Sequence, residues 1–134
     1  MFKFTFDEKE YSLNKDNLIY FFNEEVKDFD LDKLFEILNE SNKVSFSKAY
    51  YDGPCEECKF GLEEKRKSFP FLEFNMFIYG KDGRYVISNI EKAYEGLTYN
   101  KLLREKKVDK SYLVNINVCK NCGDFAVEVE EFEI

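Results

Sequence analysis

The four cysteines of this chain form two Cys-x-x-Cys pairs, Cys55/Cys58 and Cys119/Cys122. Thiolates at this spacing are typical ligands of a tetrahedral metal site, most commonly one that holds Zn²⁺. The start of the chain shows no apolar segment followed by a small-residue cleavage site, so we expect a cytoplasmic protein with reduced thiols. The pattern therefore predicts one zinc ion bound by all four cysteines and favours a metal over disulfides.

Three other states of these cysteines are compatible with the sequence. An iron centre of the rubredoxin type uses the same four thiolates in the same geometry. A redox-active dithiol needs its first cysteine at the start of a helix that follows a strand, and neither pair is followed by a helical pattern. The cysteines can also be thiols without a metal.

Catalysis by such a metal site is not expected. A catalytic zinc keeps one coordination position open, usually beside histidine or carboxylate ligands. The chain has no histidine, and four cysteines fill a tetrahedral coordination sphere. The sequence also shows no glycine-rich phosphate loop and no serine nucleophile with a partner base. We therefore expect a structural metal, no catalytic or cofactor-binding residues besides the metal ligands, and a protein that is not an enzyme.

Alternating apolar and polar residues predict strands that lead to both cysteine pairs. Apolar residues at every second position occur over residues 2–6, 44–47, 71–79, 112–118 and 125–129. The strand over 44–47 delivers the first pair, and the strand over 112–118 delivers the second. Residues 71–79 and 84–87 are joined by a Gly-Lys-Asp-Gly turn, which predicts a hairpin.

Helical spacing and capping residues predict three or four short helices. One series of apolar residues lies at i, i+3, i+4 and i+7 after a capping Asp30: Leu31, Leu34, Phe35 and Leu38. An earlier series has a similar spacing: Leu18, Ile19, Phe22 and Val26. Ser88 and Glu91 match a capping box, and Thr98 can cap a helix over 99–108. The predicted fold class is α+β, with helices on an antiparallel sheet built from hairpins.

The cysteine pairs at the ends of predicted strands resemble the knuckles of the zinc-ribbon class. The segment Cys119-Lys-Asn-Cys122-Gly123 also resembles a rubredoxin knuckle, and its glycine favours a left-handed turn. The resemblance implies a zinc-ribbon-like element of residues 44–62 and 112–134 with an insert of residues 63–111. We expect the whole, residues 1–134, to be a single domain. The chain also resembles the uncharacterised bacterial families that are known only as domains of unknown function.

The charge of the chain is unevenly distributed. The formal net charge is −7, yet residues 59–118 carry 12 basic and 8 acidic residues. The basic residues cluster at Lys65, Arg66, Lys67, Lys101, Arg104, Lys106, Lys107 and Lys110. Such a cluster can contact nucleic-acid phosphates, or it can be a solvated helix face. The negative net charge repels polyanions at long range and favours the second interpretation.

The function that these features favour is a protein-interaction or adaptor module with a structural zinc site of four cysteines. Its partner is expected to be another protein, and no bilayer-spanning segment is expected. The aromatic residues, 15 Phe and 9 Tyr, can serve as a binding surface or fill the core. The alternative is a nucleic-acid-associated ribbon that uses the basic insert of residues 59–110, and a third option is electron transfer by iron. The excess of lysine over arginine suggests a bacterial source.

Overall fold

The computed structural model describes residues 1–55, 57–61, 63, 65 and 67–133, and within them strands far outnumber helices. The strands are β1 (Phe2–Phe6), β2 (Lys9–Leu13), β3 (Leu18–Phe22), β4 (Ser47–Tyr51), β5 (Phe69–Lys81), β6 (Arg84–Ser88), β7 (Lys110–Cys119) and β8 (Phe125–Glu131). The helices are α1 (Leu31–Glu40) and α2 (Tyr99–Arg104). The fold is therefore α+β, as the sequence predicts.

The prediction of three or four helices is wrong, because the described residues contain only two. Residues 18–22 form strand β3, since a run of five apolar residues rich in aromatic side chains favours an extended conformation over a helix. The segment after Ser88 forms only a single 3-10 turn, Lys92–Tyr94. The last predicted helix ends at Arg104, before Lys106 takes a left-handed φ of 60°.

Helix α1 forms as its sequence predicts. The side chain of Asp30 accepts a hydrogen bond of 2.8 Å from the Lys33 backbone N–H and so caps the first turn. The apolar face buries Leu34, Phe35, Ile37 and Leu38. The cap and the buried stripe together account for the position of this helix.

Two sheets organise the strands. Strands β1 and β2 form a two-stranded antiparallel sheet, and the larger sheet has the order β3-β8-β7-β5-β4, with β6 paired to β5. The predicted hairpin of β5 and β6 is confirmed and antiparallel. Its turn places Asp82 and Gly83 at φ values of 53° and 78°, the pair of left-handed residues that a two-residue type I′ hairpin requires.

The chain contains two compact units, each made of three segments. The first consists of Met1–Phe21, Ser45–Phe74 and Ile116–Val127. Its core includes a stack of the Phe4 and Phe46 rings, whose centroids are 4.0 Å apart, and Tyr11 stacks on Phe4 at 5.1 Å. All four cysteines belong to this unit. That residues 1–134 form one domain stays a prediction.

The second unit consists of Phe22–Val44, Asn75–Asn115 and Glu128–Ile134. Its core includes buried Tyr79, Leu102 and Val108. The rings of Tyr94 and Tyr99 stack on Tyr79 at 5.5 and 4.8 Å. Tyr79 is therefore buried in the core, and Tyr94 and Tyr99 are partly buried against it.

Two buried serines of the second unit differ in their hydrogen bonding. Ser88 is fully buried, and its Oγ has no partner among the described residues. Ser111 is also buried, and its Oγ donates to the Phe132 carbonyl. The predicted capping role of the Ser88 side chain is therefore not realised, since the 3-10 turn begins after Glu91. An unsatisfied buried hydroxyl such as that of Ser88 costs free energy, whereas the hydrogen bond of Ser111 stabilises the fold.

We expect Ser88→Ala to raise the free energy of unfolding by about 1 kcal/mol and Ser111→Ala to lower it by about 1 kcal/mol. Urea denaturation of both variants and the wild type measures the two changes. Because the substitutions are chemically identical, each serves as the control for the other. Equal destabilisation by both variants would show that Ser88 does have a partner.

Candidate metal centre

Strands β4 and β7 bring the two cysteine pairs to one place. Strand β4 ends at Tyr51, four residues before Cys55, and Cys119 is the last residue of β7. Strand β5 lies between β4 and β7, and the hydroxyl of Tyr51 on β4 hydrogen-bonds with both Glu73 of β5 and Asn117 of β7. The ends of β4 and β7 therefore direct both cysteine pairs towards the same end of the sheet.

The four sulfur atoms form one cluster, and all lie within 4.8 Å of one another. Cys55 Sγ is 3.7 Å from Cys122 Sγ, and Cys58 Sγ is 3.6 Å from Cys119 Sγ. A tetrahedral Zn²⁺ with bonds of about 2.3 Å separates its sulfur ligands by about 3.8 Å. A disulfide would bring two sulfurs to about 2.05 Å, and all four thiols are free. The cluster has the size of a four-thiolate metal site.

The second knuckle, residues 119–123, is a tight turn between β7 and β8. The Gly123 N–H donates to the Cys119 carbonyl at 2.9 Å, and Gly123 has a φ of 84°. The Cys122 N–H points at Cys119 Sγ at 3.5 Å, and the Asp124 N–H points at Cys122 Sγ at 3.4 Å. The left-handed glycine that the sequence predicts is confirmed, and backbone donors face the sulfurs.

The first knuckle, which contains Cys55 and Cys58, has a lysine at the left-handed position of its turn, where glycine is favoured. The Lys59 N–H donates to the Cys55 carbonyl at 2.9 Å, and Lys59 has a φ of 52°. Lys59 takes the place that Gly123 has in the second knuckle. A left-handed conformation costs a residue with a Cβ roughly 1–2 kcal/mol. Glu56, between the two cysteines, lies outside the described residues.

Burial and hydrogen bonding act in opposite directions on the thiols. Burial alone would raise the pKa of Cys58, but hydrogen bonds from the Asn121 side chain and the Phe60 backbone outweigh it and lower the pKa to about 7. Burial raises the pKa of Cys119, although backbone N–H groups of Cys122 and Asn121 oppose this. Because a metal binds thiolates, its binding must displace a proton from Cys119.

Side chains near the start of the chain hold the second knuckle from outside. Lys9 Nζ donates to the carbonyls of Lys120 and Asn121 at 3.1 and 2.7 Å. The hydroxyl of Tyr11 donates to the Lys120 carbonyl at 2.8 Å, and Asn17 Nδ2 donates to the Gly123 carbonyl at 3.1 Å. The sequence does not predict these contacts, since no local pattern indicates hydrogen bonds to residues more than a hundred positions away.

The basic cluster of the insert is partly neutralised. Lys107 Nζ lies 3.3 Å from a Glu105 carboxylate oxygen, and Lys110 Nζ lies 3.3 Å from one of Glu131. Arg66, which is also predicted to belong to this cluster, lies outside the described residues. Ion pairs of this kind reduce the positive charge that is available to a phosphate.

The fold and the site define a strand-rich α+β protein whose four cysteines, on two knuckles, are placed to hold a metal ion. The chain belongs to the family described as Protein of unknown function (DUF3785), whose model matches residues 2–134. The expected membership in a family of unknown function is confirmed. No curated protein and no solved structure matches the chain. The two described helices have ten and six residues, well short of a bilayer-spanning helix.

Gly123→Ala is expected to lower the free energy of unfolding of the metal-loaded protein by roughly 1–2 kcal/mol, because alanine resists a left-handed φ. An added Cβ would meet only Tyr11 Cδ1 at 3.8 Å, an ordinary contact. The loss of stability therefore comes from the left-handed backbone conformation at residue 123 and not from a steric clash.

Gly53→Ala is the matched control, since a Cβ there meets nothing within 4 Å. It should change stability by less than about 0.5 kcal/mol. Chemical denaturation of the two variants and the wild type measures both effects. A neutral Gly123→Ala would contradict the left-handed turn at the second knuckle.

Proposed function

We propose that the four cysteines bind one structural Zn²⁺ and that the protein is a non-enzymatic interaction module. The observation that carries this proposal is the clustering of four thiols within 4.8 Å on two knuckles. All the ligands are sulfur, as in structural zinc sites, and four of them leave no open position for substrate or water. Iron can occupy the same ligand set, so the metal itself has to be measured.

The metal is proposed to stabilise the first unit rather than to carry out chemistry. A structural zinc contributes on the order of 10–16 kcal/mol of apparent binding free energy. A whole domain is typically stable by only about 5–15 kcal/mol. Since the ion would join residues 55–58 to residues 119–122, its removal should release both segments from each other.

An aromatic cleft beside the second knuckle supports the interaction role. Its volume is about 330 Å³, and it is lined by Tyr50, Phe60, Pro70, Lys120 and Asn121. The side chain of Tyr50 is 60% exposed and that of Phe60 is 39% exposed. Exposed tyrosine and phenylalanine are enriched where proteins bind one another. We propose that this cleft contacts a protein partner in the cytoplasm.

A nucleic-acid-associated role for the basic insert remains the alternative proposal. The net charge of −7 and the ion pairs of Lys107 and Lys110 weigh against it.

Purified untagged protein should contain one zinc ion per chain by elemental analysis. Cys119→Ser removes a buried ligand and should abolish stoichiometric binding and lower the melting temperature by more than about 10 °C. Treatment of the wild type with a chelator is the control and should produce the same loss. A Cys119→Ser variant that melts like the wild type and keeps its full metal content would contradict the structural metal site. Visible absorbance typical of thiolate-bound iron would show that the metal is iron and not zinc.

A partner that crosslinks to the wild-type protein in its native host should no longer crosslink to the double variant Tyr50→Ala/Phe60→Ala. Phe22→Ala, at a phenylalanine that is 47% exposed, is the control and should retain that partner. The partner should also be lost on treatment with a chelator, since Lys120 and Asn121 belong to the second knuckle. A crosslinked partner that survives both changes would contradict the cleft as the binding site.

A further inference from the structure

Three carbonyl groups of the second knuckle are held by side chains from one short segment, Lys9 to Asn17. Lys9 binds the carbonyls of Lys120 and Asn121, and Tyr11 binds that of Lys120 as well. Asn17 binds the carbonyl of Gly123. The backbone acceptors that face away from the sulfurs are thus taken up by protein donors.

In a planar trans peptide group the C=O and the N–H point in opposite directions. A side chain that holds one of these carbonyl oxygens therefore also fixes the direction of the N–H in the same peptide group. The carbonyl of Asn121 shares its peptide with the Cys122 N–H, which faces Cys119 Sγ at 3.5 Å. The carbonyl of Gly123 shares its peptide with the Asp124 N–H, which faces Cys122 Sγ at 3.4 Å. Holding the oxygen outward therefore aims the N–H inward at a sulfur.

Asn121 connects this arrangement to the other knuckle. Its carbonyl accepts from Lys9 at 2.7 Å, while its side-chain Nδ2 lies 3.6 Å from Cys58 Sγ. The contact from Lys9 is charge-assisted, and such hydrogen bonds are stronger than neutral ones. Hydrogen bonds in a chain also polarise one another, so a donor on the carbonyl strengthens the N–H as a donor to sulfur.

We propose that Lys9, Tyr11 and Asn17 are positioning residues that orient the peptide groups of the second knuckle towards the cysteine sulfurs and so raise its affinity for a metal ion. The proposal rests on the proposed metal-binding function. It assigns a role to the β1–β2 hairpin and to the 3-10 turn Lys15–Asn17 that follows it. Neither contributes a metal ligand, and together they supply the outer contacts of the site. Loss of such contacts typically weakens metal binding roughly 10- to 100-fold.

The test uses the zinc-loaded full chain in competition with a chromogenic zinc chelator. Lys9→Met should weaken zinc binding roughly tenfold or more, and Tyr11→Phe should weaken it several-fold. Lys9→Arg keeps a cationic donor and should restore most of the affinity. Lys3→Met is the matched control, because Lys3 lies on the same hairpin and pairs only weakly with Glu10 at 3.9 Å; it should change affinity less than about twofold.

A second measurement separates orientation from general loosening. In Lys9→Met, amide hydrogen exchange at Cys122 should accelerate at least about fivefold, since Lys9 holds that peptide group. Exchange at Asp124 should stay near the wild-type rate, because Asn17 holds its peptide. If Lys9→Met fails to fold, the affinity of Tyr11→Phe tests the proposal, because this variant keeps the aromatic ring that stacks on Phe4.

The outcomes are distinct. Affinities of Lys9→Met and Tyr11→Phe that match the wild type would overturn the positioning role while leaving the metal centre intact. Equal acceleration of exchange at Cys122 and Asp124 would also overturn it, because it would indicate loosening of the whole knuckle. Wild-type protein that binds no zinc would overturn the metal centre and this proposal with it.

Discussion

The convergence of four sulfurs on one point is the constraint on which the first unit depends. Cys58 and Cys119 are 61 positions apart in the chain, yet their sulfurs are 3.6 Å apart. Closing so long a loop has an entropic cost that grows only slowly with its length. Because β4 pairs with β5 and β5 neighbours β7, strand pairing brings the knuckles together, and a metal ion would then fix the last few ångströms.

The two knuckles differ in how far their backbone is preorganised for a metal ion. The second has a glycine at its left-handed position, a strand on each side, and donors from three side chains on its carbonyls. The first has Lys59 at the corresponding left-handed position. Proteins tolerate such backbone strain where surrounding contacts determine the conformation. The second knuckle is therefore the preorganised half of the site, and a bound metal ion would contribute most to the order of the first.

Much of the site and the strands could be predicted from sequence, because the information is local. A Cys-x-x-Cys spacing, a glycine after Cys122 and apolar residues at every second position over residues 72–78 each specify their own structure. The failures arose where local patterns are ambiguous. Residues 18–22 satisfy a helical spacing and also form a continuous apolar run, and only pairing of β3 with β8 decides between the two. The Ser88 capping box failed because that serine is buried beside a turn too short to be a helix. The contacts of Lys9 and Tyr11 could not be predicted, since a long-range hydrogen bond leaves no periodic trace in sequence.

The position of the aromatic cleft gives the metal centre a consequence beyond stability. Lys120 and Asn121 are the two residues between the cysteines of the second knuckle, and they also line the cleft with Tyr50 and Phe60. The same two residues present their carbonyls to Lys9 and, through Asn121, a donor to Cys58. A change in the knuckle would therefore alter the cleft wall directly, without any transmission through the sheet. If the cleft binds a partner, its affinity should depend on the state of the thiols, because one short segment serves both the metal and the surface.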